Sequence, residues 1–417
     1  MTHGVVIIGA GHAAGAMAAA LRQGGFSDSI TLVGEEPLPP YQRPPLSKAW
    51  LRGEAGAADI LLRPLAYYVD KQIGLRLSTR AISIDRPGKT IQLDTGATLA
   101  YDTLVLATGS SLRKLAVPGV DSAGIFELRS AADAERIKAA LGRGKRLAVV
   151  GGGYIGLEVA ASARALGAEV VVIEREPRLL ARVASETLSA FFARCHAAHG
   201  VTIVQGAAVC GFEAHDGVVA GVRLADGRGF ACDLAVVGIG ALASDALAAA
   251  AGLDCRGGIM VDENARTADA SIYAIGDCAC RPVARYGRSM RLESVPNALE
   301  QAKQAAAALC GKPAPRPEAP WFWSDQYDVR LQIAGLPLDV VQQVVRGDPA
   351  TGRFAVFHLD RAGCLQALEA VNSPAEFVAA RQWIAARQVI APARAADSTL
   401  AVRQIVELSG TASPPAA

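Results

Sequence analysis

Val5-Val6-Ile7-Ile8-Gly9-Ala10-Gly11-His12-Ala13-Ala14-Gly15 is an apolar strand that runs into a glycine turn and then into an alanine-rich helix predicted to end near Leu21. The next strand, Ile30-Thr31-Leu32-Val33-Gly34, closes on the acidic pair Glu35-Glu36. The pattern occurs again. Leu147-Ala148-Val149-Val150-Gly151-Gly152-Gly153-Tyr154-Ile155-Gly156 leads into a helix predicted over 157–166, then into Val170-Val171-Val172-Ile173 and Glu174. In each copy the first glycine permits a tight turn and the second lets the backbone approach a pyrophosphate. The small third residue, Ala13 or Gly156, lets helix and strand pack closely. The helix N-terminus offers its free N–H groups and partial positive charge to the phosphates, and the acid after the second strand accepts ribose hydroxyls. Two dinucleotide sites on one chain imply electron transfer between two bound nucleotides.

A length of 417 residues suggests two or three domains. Half the composition is hydrophobic, yet no uninterrupted apolar run reaches the ~20 residues needed to cross a bilayer, and strand one begins too early for a signal peptide. A soluble cytoplasmic protein is expected, without membrane association. The net charge of +2 argues against nucleic-acid binding. The eight cysteines form no CxxC pair and have no clustered partners for a metal, so no metal site is expected and the thiols read as buried apolar groups in a reducing compartment. The first cysteine is Cys195. The redox-active cysteine pair that flavin disulfide reductases carry just after the first fingerprint is therefore absent.

Further strands are expected at Val201–Val204, Val218–Leu224 and Leu234–Val237, and another at Ser271–Ile275 before Gly276-Asp277. A proline-rich break over 312–317 precedes Trp321-Phe322-Trp323 and a run of strands at 331–333, 340–345, 354–359 and 364–371, with a helix over 374–387. The tail 409–417 reads as frayed. Asp277 makes sense far from the first fingerprint if the second nucleotide domain is inserted into the first. The fold expected is α/β, with two Rossmann-like dinucleotide-binding domains in a glutathione-reductase-like arrangement and a C-terminal α+β domain. The boundaries are 1–112 with 246–320, then 113–245, then 321–417.

Pro40-Tyr41-Gln42-Arg43-Pro44-Pro45-Leu46-Ser47-Lys48 resembles a motif of the NADH-dependent ferredoxin reductases that serve bacterial cytochromes P450 and ring-hydroxylating dioxygenases. So do Ala107-Thr108-Gly109, Gly151–Glu158, Ala274–Asp277, Glu293–Gln301 and Trp321-Phe322-Trp323-Ser324-Asp325-Gln326-Tyr327. The resemblance implies that Gly9, Gly11 and Ala13 hold the pyrophosphate of FAD and Glu35 its adenosine ribose. It also implies that Ala81 contacts the adenine, that Arg43, Arg129 and Asp277 serve the phosphate and ribityl region, and that the Val295 N–H faces the pyrimidine edge. Lys48 would lie beside the isoalloxazine. For NADH it implies Gly151, Gly153, Ile155, Gly156, Glu174 and Gly240. At Ala241–Asp245 the chain departs from the family, whose members often carry Pro-Asn there.

Lys48 and Glu158 are the candidate catalytic side chains. Each would be costly to bury alone, and together they would compensate one another while placing a cation where negative charge develops as hydride arrives. A salt bridge without a chemical role is the alternative reading. The function implied is hydride transfer from NADH to FAD, then single electrons to a [2Fe–2S] ferredoxin whose cluster has no ligand set in this chain. The rivals are a flavin NADH oxidase or peroxidase, and an interaction protein that binds both nucleotides, resembling apoptosis-inducing factor. The ferredoxin is expected to dock near Arg281, Arg285, Arg288, Arg291 and Trp323, on a monomer or weak homodimer.

Overall fold

The computed structural model describes residues 3–406, so the tail 409–417 lies outside the described residues. The chain divides into two compact units, one comprising 1–115, 126–140 and 239–317, the other 116–125, 141–238 and 318–417.

The first unit is built on a five-stranded parallel sheet in the order Ile272–Ala274, Thr103–Leu106, Val5–Ile8, Ile30–Val33, Ile73–Arg76. Val5–Ile8 is apolar throughout and fully buried, as a central parallel strand covered on both faces must be. One face is covered by the first glycine-turn helix, His12–Gly24, packed against helix Val295–Leu309. Ala13, Ala14, Ala18 and Leu21 meet Ala298, Ala302 and Ala305 there, and small side chains let the two helices lie close. The first helix runs three residues past the expected end at Leu21, to Gly24, because Gly25 takes the left-handed conformation (φ 90°) that terminates it. Strand Ile272–Ala274 pairs with Thr103–Leu106, so a segment distant in sequence completes the sheet and delivers Gly276-Asp277 to its carboxyl edge.

The second unit holds a five-stranded sheet in which four strands run parallel in the order Val201–Val204, Glu169–Ile173, Arg146–Val150, Leu234–Val237. Its glycine-turn helix is Tyr154–Ala165, beginning three residues before the expected 157. The same unit contains a five-stranded antiparallel sheet ordered Trp321–Gln326, Val329–Gly335, Leu365–Val371, Arg353–Leu359, Gln342–Asp348, with helix Pro374–Ala385 on one face. Ala334, Phe357, Leu368, Phe377 and Ile384 form the core between them. The expected two Rossmann-like domains with a C-terminal α+β domain are the architecture observed. No described helix is long and apolar enough to cross a membrane.

Candidate functional site

The protein caps some helices and leaves others open. Ser185 accepts a hydrogen bond from the Leu188 N–H at the start of Glu186–Ala198, and Ser294 accepts one from Asn297 at the start of Val295–Leu309. The two glycine-turn helices begin instead at Gly11 and Gly153, with no side-chain cap and no acid in the first turn. A Cβ built on either of those glycines would meet no protein atom within 4 Å. Two helix ends with unsatisfied N–H groups face open space, which suits a dinucleotide pyrophosphate at each.

Around the first turn, several expected residues come together. Arg43 donates to Glu36 (2.7 Å), to the Tyr41 hydroxyl (3.2 Å) and to the Arg129 carbonyl (2.5 Å). The Arg129 guanidinium stands 3.9 Å from Asp277, which also accepts from Ser110 at 3.2 Å. Burial, and then the charge of Arg43, hold the Arg129 guanidinium below its usual range. Two neighbouring guanidinium groups beside an open helix N-terminus fit the pyrophosphate of FAD. The same surroundings, burial first and Arg43 second, bring the His12 imidazole down to about 4, so it is neutral at physiological pH. His12 and Tyr41 were not singled out from the sequence; His12 feels Arg43, 31 residues on, and the Tyr41 hydroxyl joins Glu36 and Arg43 nearby to the Ala131 N–H 90 residues on, a separation no spacing rule encodes. Glu35 is exposed and 3.2 Å from Arg80. Ala81 opens strand Ala81–Asp85, opposite Leu93. Val295 is the first residue of its helix, where an N–H has no intrahelical acceptor. Lys48 directs its ammonium to the Pro44 carbonyl at 3.2 Å and the Ser47 hydroxyl at 3.5 Å.

In the second unit, Gly151, Gly153, Ile155 and Gly156 surround the second turn, and Ile155 is exposed. A Cβ on Gly156 would lie 2.2 Å from the Gly151 carbonyl oxygen, so only glycine allows this helix to start so close to its strand. The Glu174 carboxylate accepts from the Gly152 N–H (2.7 Å) and from the Glu176 N–H (2.8 Å). It therefore stiffens the turn and keeps one lone pair on each oxygen for a further donor. Arg175, the nearest cation in sequence, pairs with Glu176 at 2.9 Å and is largely exposed. Glu158 is buried on the glycine-turn helix and accepts from Ser324 at 2.6 Å. Gly240 (φ +108°) falls with the first unit, where its carbonyl accepts from the Arg113 N–H.

The expectation of four surface arginines is corrected at Arg281. Ala279–Val283 and Arg288–Arg291 form an antiparallel pair. Arg281 lies on a strand that is buried at Ala279, Cys280 and Val283 too, is 7% exposed, and bonds Glu300 (3.0 Å) and Asn297 (3.3 Å). Arg291 is half-buried against Glu293. Arg285 is half-buried over the Tyr286 ring, and Arg288 is exposed. Trp323 is half-buried, with its ring 5.6 Å from that of Trp321. All eight cysteines are free, and the described residues contain no cluster able to hold a metal ion.

Residues 3–302 match the family model of the pyridine nucleotide-disulphide oxidoreductases, and 321–406 match that of the reductase C-terminal domain. The chain is 49% identical to a probable ferredoxin reductase of Castellaniella defragrans, over 95% of this chain and 97% of that one. It is 42% identical to the putidaredoxin reductase of Pseudomonas putida, over 96% of each. The crystal structure of the covalent putidaredoxin reductase–putidaredoxin complex superposes with a TM-score of 0.94 at 40% identity, covering 97% of this chain and 98% of that one. Members of this family bind FAD and use NAD(P)H. The chain thus belongs to the pyridine nucleotide-disulphide oxidoreductase family, within the ferredoxin reductases that carry the reductase C-terminal domain.

Proposed function

We propose that this protein is the cytoplasmic NADH-dependent reductase of an oxygenase system, passing electrons singly to a [2Fe–2S] ferredoxin that serves a cytochrome P450 or a ring-hydroxylating dioxygenase. The observation that carries the reading is the pair of uncapped glycine-turn helices in a chain whose first cysteine is Cys195. Two nucleotides would be held at these helix ends, and no cysteine of the first fingerprint region is present to take up their electrons. FAD held there would supply hydride acceptance and the release of electrons one at a time. The unit with the first fingerprint would hold FAD through Gly9, Gly11, Ala13, Glu35, Arg43, Ala81, Arg129, Asp277 and Val295. Gly151, Gly153, Ile155, Gly156, Glu174 and Gly240 would serve NADH. Arg43 and Arg129 neutralise phosphate charge, Glu174 orients ribose, and Lys48 supplies a cation held in place by the Pro44 carbonyl. The test is cytochrome c reduction driven by NADH with and without a [2Fe–2S] ferredoxin. Turnover should depend on the ferredoxin, whereas a flavin oxidase would consume NADH equally well without it and an interaction protein would scarcely turn over.

NADH should be preferred over NADPH by at least about tenfold in kcat/KM, roughly 1.4 kcal/mol, since a 2′-phosphate would bring a second anion against Glu174. Glu174→Ala should shrink that ratio. It should also raise KM for NADH itself, because the same carboxylate anchors the Gly152 N–H. Steady-state constants in which the coenzyme ratio is unchanged by the substitution would remove Glu174 from the ribose site.

Lys48→Met should lower the limiting rate of flavin reduction by about ten- to a hundredfold, while changing the apparent affinity for NADH little, if the ammonium stabilises charge that appears only as hydride arrives. Anaerobic stopped-flow bleaching of the flavin separates the two parameters. An unchanged limiting rate would leave Lys48 a structural residue of the Pro44–Ser47 turn.

A further inference from the structure

A buried polar network runs from Glu158 into the C-terminal sheet. Ser324 and Gln326 are fully buried on strand Trp321–Gln326, and His196 is fully buried on helix Glu186–Ala198. Ser324 Oγ lies 2.6 Å from Glu158 Oε1, and Gln326 Nε2 lies 3.1 Å from Ser324 Oγ. His196 Nε2 is 2.8 Å from Gln326 Oε1, and the Tyr327 hydroxyl is 3.2 Å from His196 Nδ1. The Tyr327 ring stacks on the exposed His199 at 3.7 Å.

The chemistry of the groups fixes the direction of every bond. Ser324 has one proton, which it donates to Glu158 Oε1. Ser324 Oγ then accepts from the Gln326 amide nitrogen, which turns Gln326 Oε1 toward His196. That oxygen needs a donor, so His196 carries its proton on Nε2 and leaves Nδ1 bare to accept from Tyr327. Burial lowers the His196 pKa, in keeping with the neutral ring. All four donors therefore point toward one carboxylate, and hydrogen bonds arranged head to tail strengthen one another.

The register of helix and strand makes this possible. Tyr154 and Glu158 are four residues apart on the glycine-turn helix, about 6 Å along its axis. Phe322 and Ser324 are two apart on one face of the strand, a rise of about 6.6 Å. The two spacings match, so Tyr154 meets Phe322 (ring centroids 4.4 Å) while Glu158 meets Ser324. Tyr327 occupies the first position of a two-residue hairpin turn with φ 55°, where asparagine or glycine would be unstrained. A tyrosine held in that conformation places its hydroxyl on His196.

We infer that Ser324, Gln326, His196 and Tyr327 are positioning residues which hold the Glu158 carboxylate in one orientation, so that the C-terminal domain sets the geometry of hydride transfer as well as covering the nucleotide unit. The inference rests on the reading that Glu158 serves that step.

The test compares Glu158→Gln, Ser324→Ala and Ser324→Thr as FAD-loaded full chains, by anaerobic stopped-flow reduction with NADH. Ser324→Ala should lower the limiting rate by about tenfold with the apparent Kd for NADH within about twofold, since a misplaced group costs rate more than binding. Ser324→Thr, which keeps the hydroxyl, should recover most of that loss. A second readout needs no turnover. In ¹⁵N-histidine-labelled protein the His196 ring, assigned by its loss in His196→Gln, should show the Nε2–H tautomer. If Glu158→Gln leaves the limiting rate unchanged, the reading of Glu158 fails and the inference falls with it. If Glu158→Gln is slow while Ser324→Ala matches the unaltered protein, the inference alone is overturned, and an Nδ1–H tautomer overturns it as well.

Discussion

Gly9→Ala is expected to give a protein that purifies almost free of flavin. Gly9 has φ +120°, and a Cβ there would lie 2.1 Å from the Ala107 carbonyl oxygen, where ordinary contact begins near 3.4 Å. An L-residue in a left-handed conformation costs about 1–2 kcal/mol. Moving the Ala107 strand end or the turn itself to relieve the overlap costs at least as much again. The turn would be displaced from the uncapped N-terminus of His12–Gly24, and FAD affinity should fall by about a hundredfold or more, tenfold for each 1.4 kcal/mol. The ratio of flavin to protein absorbance after gel filtration measures this directly. Gly11→Ala is the companion experiment. Its Cβ meets no protein atom within 4 Å, so the apoprotein should keep its melting temperature and still bind FAD poorly. A Gly11→Ala protein that retained a full complement of flavin would place the pyrophosphate elsewhere.

What could be read from the sequence follows from how local each signal is. The two strand–glycine–helix units declare themselves because the apolar run, the turn and the helix lie within about twenty consecutive residues, and the chemistry of each glycine is fixed by its immediate neighbours. The return of Ile272–Ala274 to the first sheet was inferred from a single Gly-Asp pair after an apolar strand, and the observed pairing with Thr103–Leu106 accounts for that pair's place at the sheet edge. Arg281 was misread for the opposite reason. Four arginines in a short stretch look like a basic surface, but the Asn297 and Glu300 that receive Arg281 lie on a separate helix, Val295–Leu309. The network on Glu158 was equally hidden. The alternation of Phe322, Ser324 and Gln326 was present as a signal, yet its partner face on Tyr154–Ala165 is more than 150 residues away in sequence, and nothing local says which helix a strand will meet.

Reversing Arg285 and Arg288 together to glutamate should raise KM for the ferredoxin by about ten- to a hundredfold while leaving NADH-driven flavin reduction intact. Arg288 is exposed and Arg285 is half-buried over the Tyr286 ring, whereas Arg281 is 7% exposed and Arg291 bonds Glu293. Gly287 (φ 62°) closes the turn between them, so both sit at the tip of the hairpin, where a partner can approach without unfolding anything. An electron shuttle must arrive quickly and leave quickly. Opposite charge at the rim of an interface serves that need, because it raises the association rate and adds little to residence time. If the ferredoxin is acidic, its reduction should slow steeply as ionic strength rises, since the Debye length contracts from about 10 Å at 0.1 M salt to about 3 Å at 1 M. Reduction of a neutral quinone by the same enzyme should change little over that range. The double reversal should flatten the salt dependence as well as raise KM. A double variant whose ferredoxin kinetics and salt response match those of the unaltered protein would show that the ferredoxin docks away from this hairpin.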